Sequence, residues 1–233
     1  MAESLPLVLV PGLTCSARLY APQIVALWPY GPVTVADHRR DADIKALAAR
    51  ILSSAPPRFA LAGLSFGGYI AFEMMRQASA RIVKLALLDT SARPDTPEQT
   101  VGRKTQIAMA QTGRYGEIAD LSIPRYLHRD RQSDPAMTGI VRQMIDETGP
   151  EAFVRQMQAI MSRPDSRPLL ASIRCPTLVL VGDGDTATPA ELNKEIADGI
   201  AGARFVAVPE CGHLSTIERP EAVNAALAAW LTA

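Results

Sequence analysis

A serine flanked by glycines stands between a strand pattern and a helix pattern, where it could act as a nucleophile. Residues 63–67 read Gly-Leu-Ser-Phe-Gly, after an apolar run at 59–62 and before a helical run at 69–77. A sharp strand-to-helix turn exposes the serine hydroxyl and points the N–H groups of the helix N-terminus at a developing negative charge. The segment therefore favours nucleophilic catalysis through Ser65, although glycine and serine are also common in ordinary turns.

A nucleophilic serine needs a base that removes its proton, and histidine is the usual side chain for that role. The chain has three histidines, His38, His128 and His213. His213 follows the last predicted strand, and Gly212 before it allows the loop to bend towards the serine. His38 and His128 each stand beside arginine, so both are predicted to be solvated surface residues. His213 is thus the predicted base, and the alternative is a hydrogen-bonded structural histidine.

The histidine in turn needs an acid to orient it, and three aspartates follow predicted strands. Asp89 ends the fourth strand, and Asp183 and Asp185 follow the fifth. Aspartates at strand ends commonly brace turns, so the residue types alone leave the choice among the three open. The Gly-Asp-Gly-Asp run at 182–185 could suggest calcium, but the other ligands of a calcium-binding loop are missing and no metal is expected.

Composition limits the classes of protein to which this chain can belong. Its 233 residues are 48% hydrophobic, which suits one sizeable domain. Lys plus Arg equals Asp plus Glu at 24 each, so nothing attracts nucleic acid or an anionic membrane surface. No apolar stretch is long enough to span a bilayer, and Glu3 stands where a signal peptide needs basic residues. The three widely separated cysteines suggest reduced thiols, so a cytoplasmic location is expected.

Short apolar runs alternate with helical patterns along most of the chain. The runs predicted as strands are 5–10, 32–36, 59–62, 84–88, 177–181 and 203–208. The segments predicted as helices are 16–27, 43–54, 69–77, 189–200 and 220–231. This alternation predicts an α/β doubly wound fold, with a parallel six-stranded sheet and helices on both faces. Ligands of such sheets bind at the carboxyl ends of the strands, which is where Ser65, Asp185 and His213 fall.

The alternation is interrupted between the fourth and fifth strands. Residues 91–170 contain no convincing buried strand, and prolines separate several short helical stretches there. Methionines are concentrated in this segment; methionine commonly fills an irregular helical core, and it can also line an adaptable apolar pocket. The chain is therefore predicted to consist of a core formed by residues 1–90 and 171–233 and a helical lid insertion at 91–170.

These motifs together resemble those of the α/β-hydrolase superfamily, in its branch of small bacterial esterase-like proteins with a helical lid. The resemblance rests on residues 10–13 (Val-Pro-Gly-Leu), 63–68, 182–189 and 212–220, and it covers nearly the whole chain except the lid. Because Leu5 already begins the strand before the first of these motifs, the family's first two antiparallel strands have no place here. The resemblance therefore implies a reduced α/β-hydrolase fold with six strands.

The resemblance also assigns roles that the residues left open. The family's Gly-x-x-Asp pattern, with a proline four residues further on, places the acid on Asp185, which is followed by Pro189. The family's oxyanion hole corresponds to the backbone N–H groups of Leu13 and Phe66. Many relatives carry a histidine where this chain has Pro11, so the family pattern does not identify the residue that supports the oxyanion loop.

The activity that the resemblance implies is hydrolysis of a small-molecule carboxylic ester with a short-to-medium acyl group. Ser65, His213 and Asp185 would form the triad of an acyl-enzyme mechanism that needs no cofactor or metal. Thioester or carbon–carbon bond hydrolysis on the same triad is one alternative, and a ligand-binding member of the fold with little turnover is another. Lid and pocket set specificity, so the sequence identifies neither the physiological substrate nor the oligomeric state.

Overall fold

Six parallel strands form a single sheet in the computed structural model, which describes residues 5–233. The strands are β1 (Leu7–Val10), β2 (Val33–Val35), β3 (Phe59–Leu64), β4 (Ile82–Leu88), β5 (Thr177–Gly182) and β6 (Arg204–Val208). Their order across the sheet is β2-β1-β3-β4-β5-β6, and every neighbouring pair is parallel. The prediction of a parallel sheet with six strands is confirmed.

The order of the strands places a crevice beside β1. The chain moves outwards from β1 to β2, and then crosses to β3 on the other side of β1. Ligands of open parallel sheets bind at such a reversal, outside the carboxyl ends of the strands. The segment after Val10 and the segment after Leu64 therefore border the expected binding crevice.

Helices cover both faces of the sheet. Within residues 5–233 they are α1 (Ala21–Leu27), α2 (Ile44–Ser54), α3 (Phe66–Ala78), α4 (Pro97–Gln111), α5 (Ile118–Tyr126), α6 (Pro135–Thr148), α7 (Pro150–Met161), α8 (Arg167–Leu170), α9 (Ala190–Gly199), α10 (Ser215–Glu218) and α11 (Pro220–Thr232), and none is long and apolar enough to cross a membrane. Helices α2, α3 and α9 pack on one face, and α1 and α11 pack on the other. Every residue of β3 and β5 is buried, so these strands are continuous apolar runs.

Local signals explain where individual helices begin. The Asp43 carboxylate accepts hydrogen bonds from the N–H groups of Lys45 and Ala46, so it caps α2 one residue before the helix. The helix predicted for 16–27 is a 3₁₀ turn over Ala17–Tyr20 followed by α1. The division has a physical reason, since Pro22 fits an α-helix only in the first turn, where its missing N–H is not needed.

The helical insertion lies between β4 and β5 and consists of α4 to α8. It has a small core of its own, formed by Ala110, Ile118, Phe153 and Met157. The last of its helices instead packs on the main core, because Leu170 belongs to the apolar cluster beneath α3 and α9. The domain boundaries at residues 91 and 170 stay a prediction.

The turn between β3 and α3 is possible only because glycine occupies two positions. A Cβ atom on Gly63 would overlap the backbone of Gly67, and a Cβ on Gly67 would overlap the carbonyl group of Val10. Backbone, unlike the end of a flexible side chain, cannot move aside cheaply. These glycines allow β1, β3 and α3 to approach one another as closely as they do.

We expect Gly67→Ala to destabilise the fold by about 1–3 kcal/mol, because the added methyl group is forced against the Val10 backbone. For a chain of this size that corresponds to a fall in Tm of several degrees, measured by circular dichroism. Gly139→Ala is the matched control, since Gly139 lies in α6 with open space where an added methyl group would stand. The control should gain up to about 1 kcal/mol from helix propensity. An unchanged Tm for Gly67→Ala would contradict the packing argument.

Candidate active site

Ser65 lies at the junction of β3 and α3 in a strained backbone conformation. Its φ is 55°, in the left-handed region that non-glycine residues seldom adopt. The surrounding backbone maintains this conformation: the Ser65 N–H donates to the Leu88 carbonyl at 2.9 Å, and the Thr90 hydroxyl donates to the Ser65 carbonyl at 2.8 Å. In this conformation the Ser65 side chain makes no capping hydrogen bond to α3. Its hydroxyl lies within hydrogen-bond distance of His213 instead.

His213 connects Ser65 to Asp185 through its two ring nitrogens. Its Nε2 lies 2.8 Å from Ser65 Oγ, and its Nδ1 lies 2.8 Å from Asp185 Oδ2. A carboxylate only accepts hydrogen bonds, so Nδ1 carries the proton and Nε2 is free to accept one from the serine. The residue is 2% exposed. The structure thus brings together the three residues that were predicted as a triad.

The helical insertion also fixes the loop that carries His213. The carbonyl of Tyr126, the last residue of α5, accepts hydrogen bonds from the backbone N–H groups of His213 and Leu214 at 2.9 and 3.1 Å. The rings of Tyr126 and His213 lie 5.6 Å apart between centroids. The position of the imidazole therefore depends on the insertion as well as on the loop after β6.

Asp185 is fixed in place by the start of the segment that leads to α9. Its Oδ1 accepts from the N–H groups of Ala187 and Thr188 at 2.8 and 3.0 Å, and its Oδ2 accepts from the Thr188 hydroxyl at 2.7 Å. The residue is 4% exposed. These donors stabilise the ionised carboxylate and leave Oδ2 facing the imidazole.

The other two candidate aspartates do not contact the histidine. Asp89 accepts from the Gly182 N–H at 2.8 Å and from the Ser215 hydroxyl at 2.5 Å. Asp183 accepts from the Cys211 N–H at 3.3 Å. Asp89 thereby connects the strand end that precedes Asp185 with the segment that follows His213, so its carboxylate fastens the two loops together.

Charge inside the site favours a protonated histidine. Burial alone would lower the pKa of His213, but the charge and hydrogen bond of Asp185, with the charge of Asp89, outweigh burial and raise it. Burial would raise the pKa of Asp185, yet the adjacent imidazole and the donors of Thr188 hold it below its usual range. The pKa of Asp89 is raised by burial and by the negative charge of Asp185. The arrangement therefore stabilises the imidazolium that proton transfer from Ser65 would create.

A buried polar chain links the backbone of the serine to the acid. The Thr90 N–H donates to the Asn193 side-chain oxygen at 2.9 Å, and the Asn193 amide donates to the Thr188 carbonyl at 2.8 Å. Thr90 also bonds Ser65, and Thr188 also bonds Asp185. Asn193 is fully buried in α9. Sequence reasoning missed this residue, because a single asparagine on a helix gives no signal of its long-range partners.

The loop after β1 and the start of α3 present two candidate oxyanion donors. The N–H groups of Leu13 and Phe66 make no hydrogen bond to any other group within residues 5–233. Leu13 and Phe66 line the same cavity as Ser65. The Thr14 N–H beside Leu13 donates to the Gln156 side chain of α7 at 3.1 Å, and the Thr14 φ is 58°. A side chain of the insertion thus helps to set the direction of the loop.

The prediction that His38 and His128 are solvated surface residues is wrong. His38 is 2% exposed, its Nε2–H donates to the Gly12 carbonyl at 2.8 Å, and its ring stacks on Phe66 with 5.6 Å between centroids. Burial lowers the pKa of His38 to about 4, so the ring is neutral at pH 7. His38 thereby supports the loop after β1, in which this chain carries Pro11. The neighbouring arginines misled the prediction, because they point outwards while His38 turns inwards.

His128 is also more enclosed than predicted, with a side chain that is 12% exposed. Its ring lies against Gly184, where any Cβ atom would overlap it. Its backbone N–H donates to the Glu218 carboxylate at 2.8 Å. His128 therefore packs the insertion against the loop that carries Asp185.

Ser65 and His213 open onto a cavity of about 380 Å³. Its walls come from the loop after β1, from the start of α3 and from α4, α5 and α7 of the insertion. The apolar part of the lining includes Leu13, Phe153, Met157 and Ile160, and the charged part is Glu98, Arg103 and Arg125. Nowhere in residues 5–233 do three His, Cys, Asp or Glu side chains converge as metal ligands.

The fold and this site define a hydrolase class, and the chain belongs to the α/β-hydrolase family. The family model described as "Alpha/beta hydrolase family" matches residues 7–226. A Mycobacterium tuberculosis protein, provisionally named non-heme bromoperoxidase BpoC, is 30% identical over 191 residues, which cover 76% of this chain and 68% of that protein. The predicted membership of the α/β-hydrolase superfamily is confirmed.

Two solved structures are similar over almost the whole chain. A thermophilic esterase from Thermogutta terrifontis, determined with malate bound, is 33% identical with a TM-score of 0.90, covering 98% of this chain and 89% of that one. The enol-lactonase from Burkholderia xenovorans LB400 is 28% identical with a TM-score of 0.88, covering 100% of this chain and 93% of that one. Proteins named for hydrolysis thus share the complete fold described above.

The contact pattern predicts which carboxylate controls the charge of His213. Histidine titration followed by NMR should give His213 a pKa above the ordinary value of about 6.5. Asp185→Asn should bring it below that value, because burial remains while the adjacent charge is lost. Asp89→Asn should lower it less, since Asp89 does not contact the ring. A larger change in Asp89→Asn would show that the acid has been assigned to the wrong residue.

Proposed function

We propose that this protein is a serine hydrolase that cleaves carboxylic esters. The observation that carries the proposal is the hydrogen-bonded series from Ser65 Oγ through His213 to Asp185, with 2.8 Å at each step, at the floor of an open cavity. Nucleophile, base and orienting acid at such distances are what acyl transfer requires. The strained φ of Ser65 supports the assignment, because strain of this kind clusters at functional positions.

In the first half of the reaction, Ser65 Oγ attacks the ester carbonyl carbon while His213 Nε2 takes the serine proton. Asp185 holds the ring in the tautomer with a proton on Nδ1 and stabilises the imidazolium. When the tetrahedral intermediate collapses, the bond from carbon to the alcohol oxygen breaks. His213 gives its proton to the departing alcohol, and an acyl group remains on Ser65.

In the second half, a water molecule replaces the alcohol. His213 takes a proton from the water as its oxygen attacks the acyl carbon, and the bond to Ser65 then breaks. His213 returns the proton to Ser65 Oγ, and the carboxylic acid leaves. The same three side chains therefore serve both halves, and no redox step or additional group is required.

The negative charge on the carbonyl oxygen needs donors in both tetrahedral intermediates. The N–H groups of Leu13 and Phe66 are our candidates, because both residues line the cavity and neither N–H has another partner in the described chain. One such donor is worth about 10²–10³ in turnover in a well-studied hydrolase. His38 and Gln156 would hold the first donor in place through their hydrogen bonds to Gly12 and Thr14.

The relatives support an ester bond as the target. One similar structure is named an esterase, and another is named an enol-lactonase, which cleaves a cyclic ester. The pocket supports a small substrate, since a volume of about 380 Å³ is near the lower end for ligand sites. A panel of oxygen esters of graded acyl length, with a thioester and a diketone for comparison, separates ester hydrolysis from the related reactions.

An organophosphonate probe should modify Ser65 once per chain, as peptide mass mapping can show. Ser65→Ala should take up no label. Ser122→Ala is the matched control, because Ser122 lines the same cavity but has no histidine partner in the described chain, so this variant should label normally. Label on Ser122, or on no serine in a preparation that hydrolyses esters, would refute the mechanism.

The hydrolysis rate should fall on the acid side as His213 gains its proton, since only the neutral ring accepts the serine proton. Because the His213 pKa is raised, the midpoint of kcat/KM against pH should lie above about 6.5. Asp185→Asn should lose on the order of 10⁴ in turnover, as in the best-studied triad, while Asp89→Asn keeps a substantial part. Melting curves must first show that both variants are folded. A rate that stays constant down to about pH 5 would exclude His213 as the base.

A further inference from the structure

Arg125 is a cation without a partner at the cavity that holds Ser65 and His213. It lies on α5, its residue is exposed, and it lines the cavity with both of them. Among residues 5–233, no carboxylate oxygen lies within 4.0 Å of its side-chain nitrogens, and no hydrogen bond holds its guanidinium. Other arginines of the insertion do have a carboxylate oxygen at 2.8 Å or less, namely Arg103, Arg114, Arg142, Arg163 and Arg167.

A second source of positive charge comes from α4 and the end of the insertion. Arg103, which lines the cavity, and Arg163 share a single carboxylate, that of Asp95, at 2.6 and 2.8 Å. Arg163 also lies 4.1 Å above the ring of Tyr69, another lining residue. One carboxylate compensates only one of the two guanidinium groups, so this side of the cavity keeps an excess of positive charge.

The acidic side chain among the described lining residues offsets this excess in formal charge, which leaves the charge of Arg125. Glu98 lies in the first turn of α4, where its own backbone N–H and the Thr96 hydroxyl lower its pKa. The negative charge of Glu98 therefore interacts with the free N–H groups at the N-terminus of α4. With Arg103, Arg125 and Arg163 set against Glu98 and Asp95, the wall of the cavity formed by the insertion and its immediate support carries one net positive charge. Asp185 lies on the opposite side, behind His213.

The rest of the lining suits an aliphatic chain, because Leu13, Phe153, Met157 and Ile160 supply apolar surface. A ligand with a short apolar chain and a single negative charge would match both parts of the cavity. A planar carboxylate is the monoanion that a guanidinium binds best, since two parallel N–H groups can reach its two oxygens.

We propose that the substrate is an ester that itself carries a carboxylate, and that Arg125 binds this carboxylate and so determines specificity. The inference rests on the proposed ester hydrolysis for its reaction, but its charge selection can be tested by binding alone. Arg125 takes no part in the proton transfers. It selects the substrate and holds it with its ester group at Ser65.

Matched substrates that differ only in charge test the selection. Ethyl half-esters of dicarboxylic acids from succinate to suberate carry the carboxylate in the acyl part, and the corresponding ethyl esters of the monoamides are neutral with nearly the same shape. Acetate esters of ω-hydroxy acids, with their amides, place the charge in the alcohol part. The better series identifies the part of the substrate that faces Arg125.

We expect the native protein to hydrolyse the carboxylate member of the best pair with a kcat/KM about ten- to hundredfold above its amide. Arg125→Gln should remove that preference by lowering kcat/KM for the carboxylate ester, with less than about a threefold change for the amide. Arg125→Lys should recover part of the preference, since it keeps the charge but not the planar fork. Because the Arg125 side chain is exposed and unbonded, all variants should melt like the native protein.

Arg129→Gln is the matched control. It removes the same charge four residues away, from a side chain that is 85% exposed and does not line the cavity. The preference should survive in this variant, because long-range effects of an exposed charge are screened by salt. Equal loss of the preference in Arg129→Gln and Arg125→Gln would overturn the inference. It would indicate that the overall charge of the protein, rather than a carboxylate-binding site at Arg125, causes the preference.

Failure of the inference and failure of the proposed function give different results. Equal hydrolysis of carboxylate and amide esters, unaffected by Arg125→Gln, overturns the inference and leaves ester hydrolysis standing. If no ester is hydrolysed, the proposed function fails, and calorimetry with adipamate, the singly charged monoamide of adipic acid, and with the neutral adipamide tests the carboxylate site by itself. Adipamate binding that Arg125→Gln abolishes, without adipamide binding, supports that site, and the absence of adipamate binding overturns it.

Discussion

The close approach of β1, β3 and α3 is the constraint on which the rest of the site depends. There is no space for a Cβ atom at Gly63 or at Gly67, because the neighbouring backbone lies too close. The chain between these two glycines makes the sharp turn from β3 into α3. Ser65 lies at this turn and is left with a φ of 55° and a side chain that cannot cap its own helix. The strain is sustained because the Ser65 N–H donates to the Leu88 carbonyl of β4 and the Ser65 carbonyl accepts from the Thr90 hydroxyl, which fixes the backbone on either side.

The insertion is part of the machinery that positions these groups, as well as one wall of the cavity. The Tyr126 carbonyl holds the loop that carries His213, and the Gln156 side chain holds the loop after β1. The shape of the cavity and the geometry at His213 are therefore coupled in this protein, since the helices that line the cavity also position that side chain. A change in the insertion that is meant to alter substrate choice should be checked for its effect on the His213–Ser65 contact.

Charges of opposite sign are separated within the site. Two buried carboxylates, Asp185 and Asp89, lie behind the imidazole, where they favour its protonated form. Guanidinium groups lie on the cavity side, where Arg125 opposes that protonation and faces the solvent-accessible space. This arrangement would stabilise the imidazolium of the transition state from behind and attract an anionic ligand from the front.

Sequence alone determined the parts of this protein that local pattern controls. Apolar runs specify the six strands, glycine spacing specifies the turn at Ser65, and chain order places Asp185 and His213 at strand ends. Tertiary structure decided the rest: His38 is buried although arginines flank it, and Asn193 joins Ser65 to Asp185. The physical reason is that strand and turn preferences act between neighbours, whereas burial and hydrogen-bond partners arise between segments that are distant in the chain. Gly12 and His38 are 26 residues apart, and Thr14 and Gln156 are 142 apart.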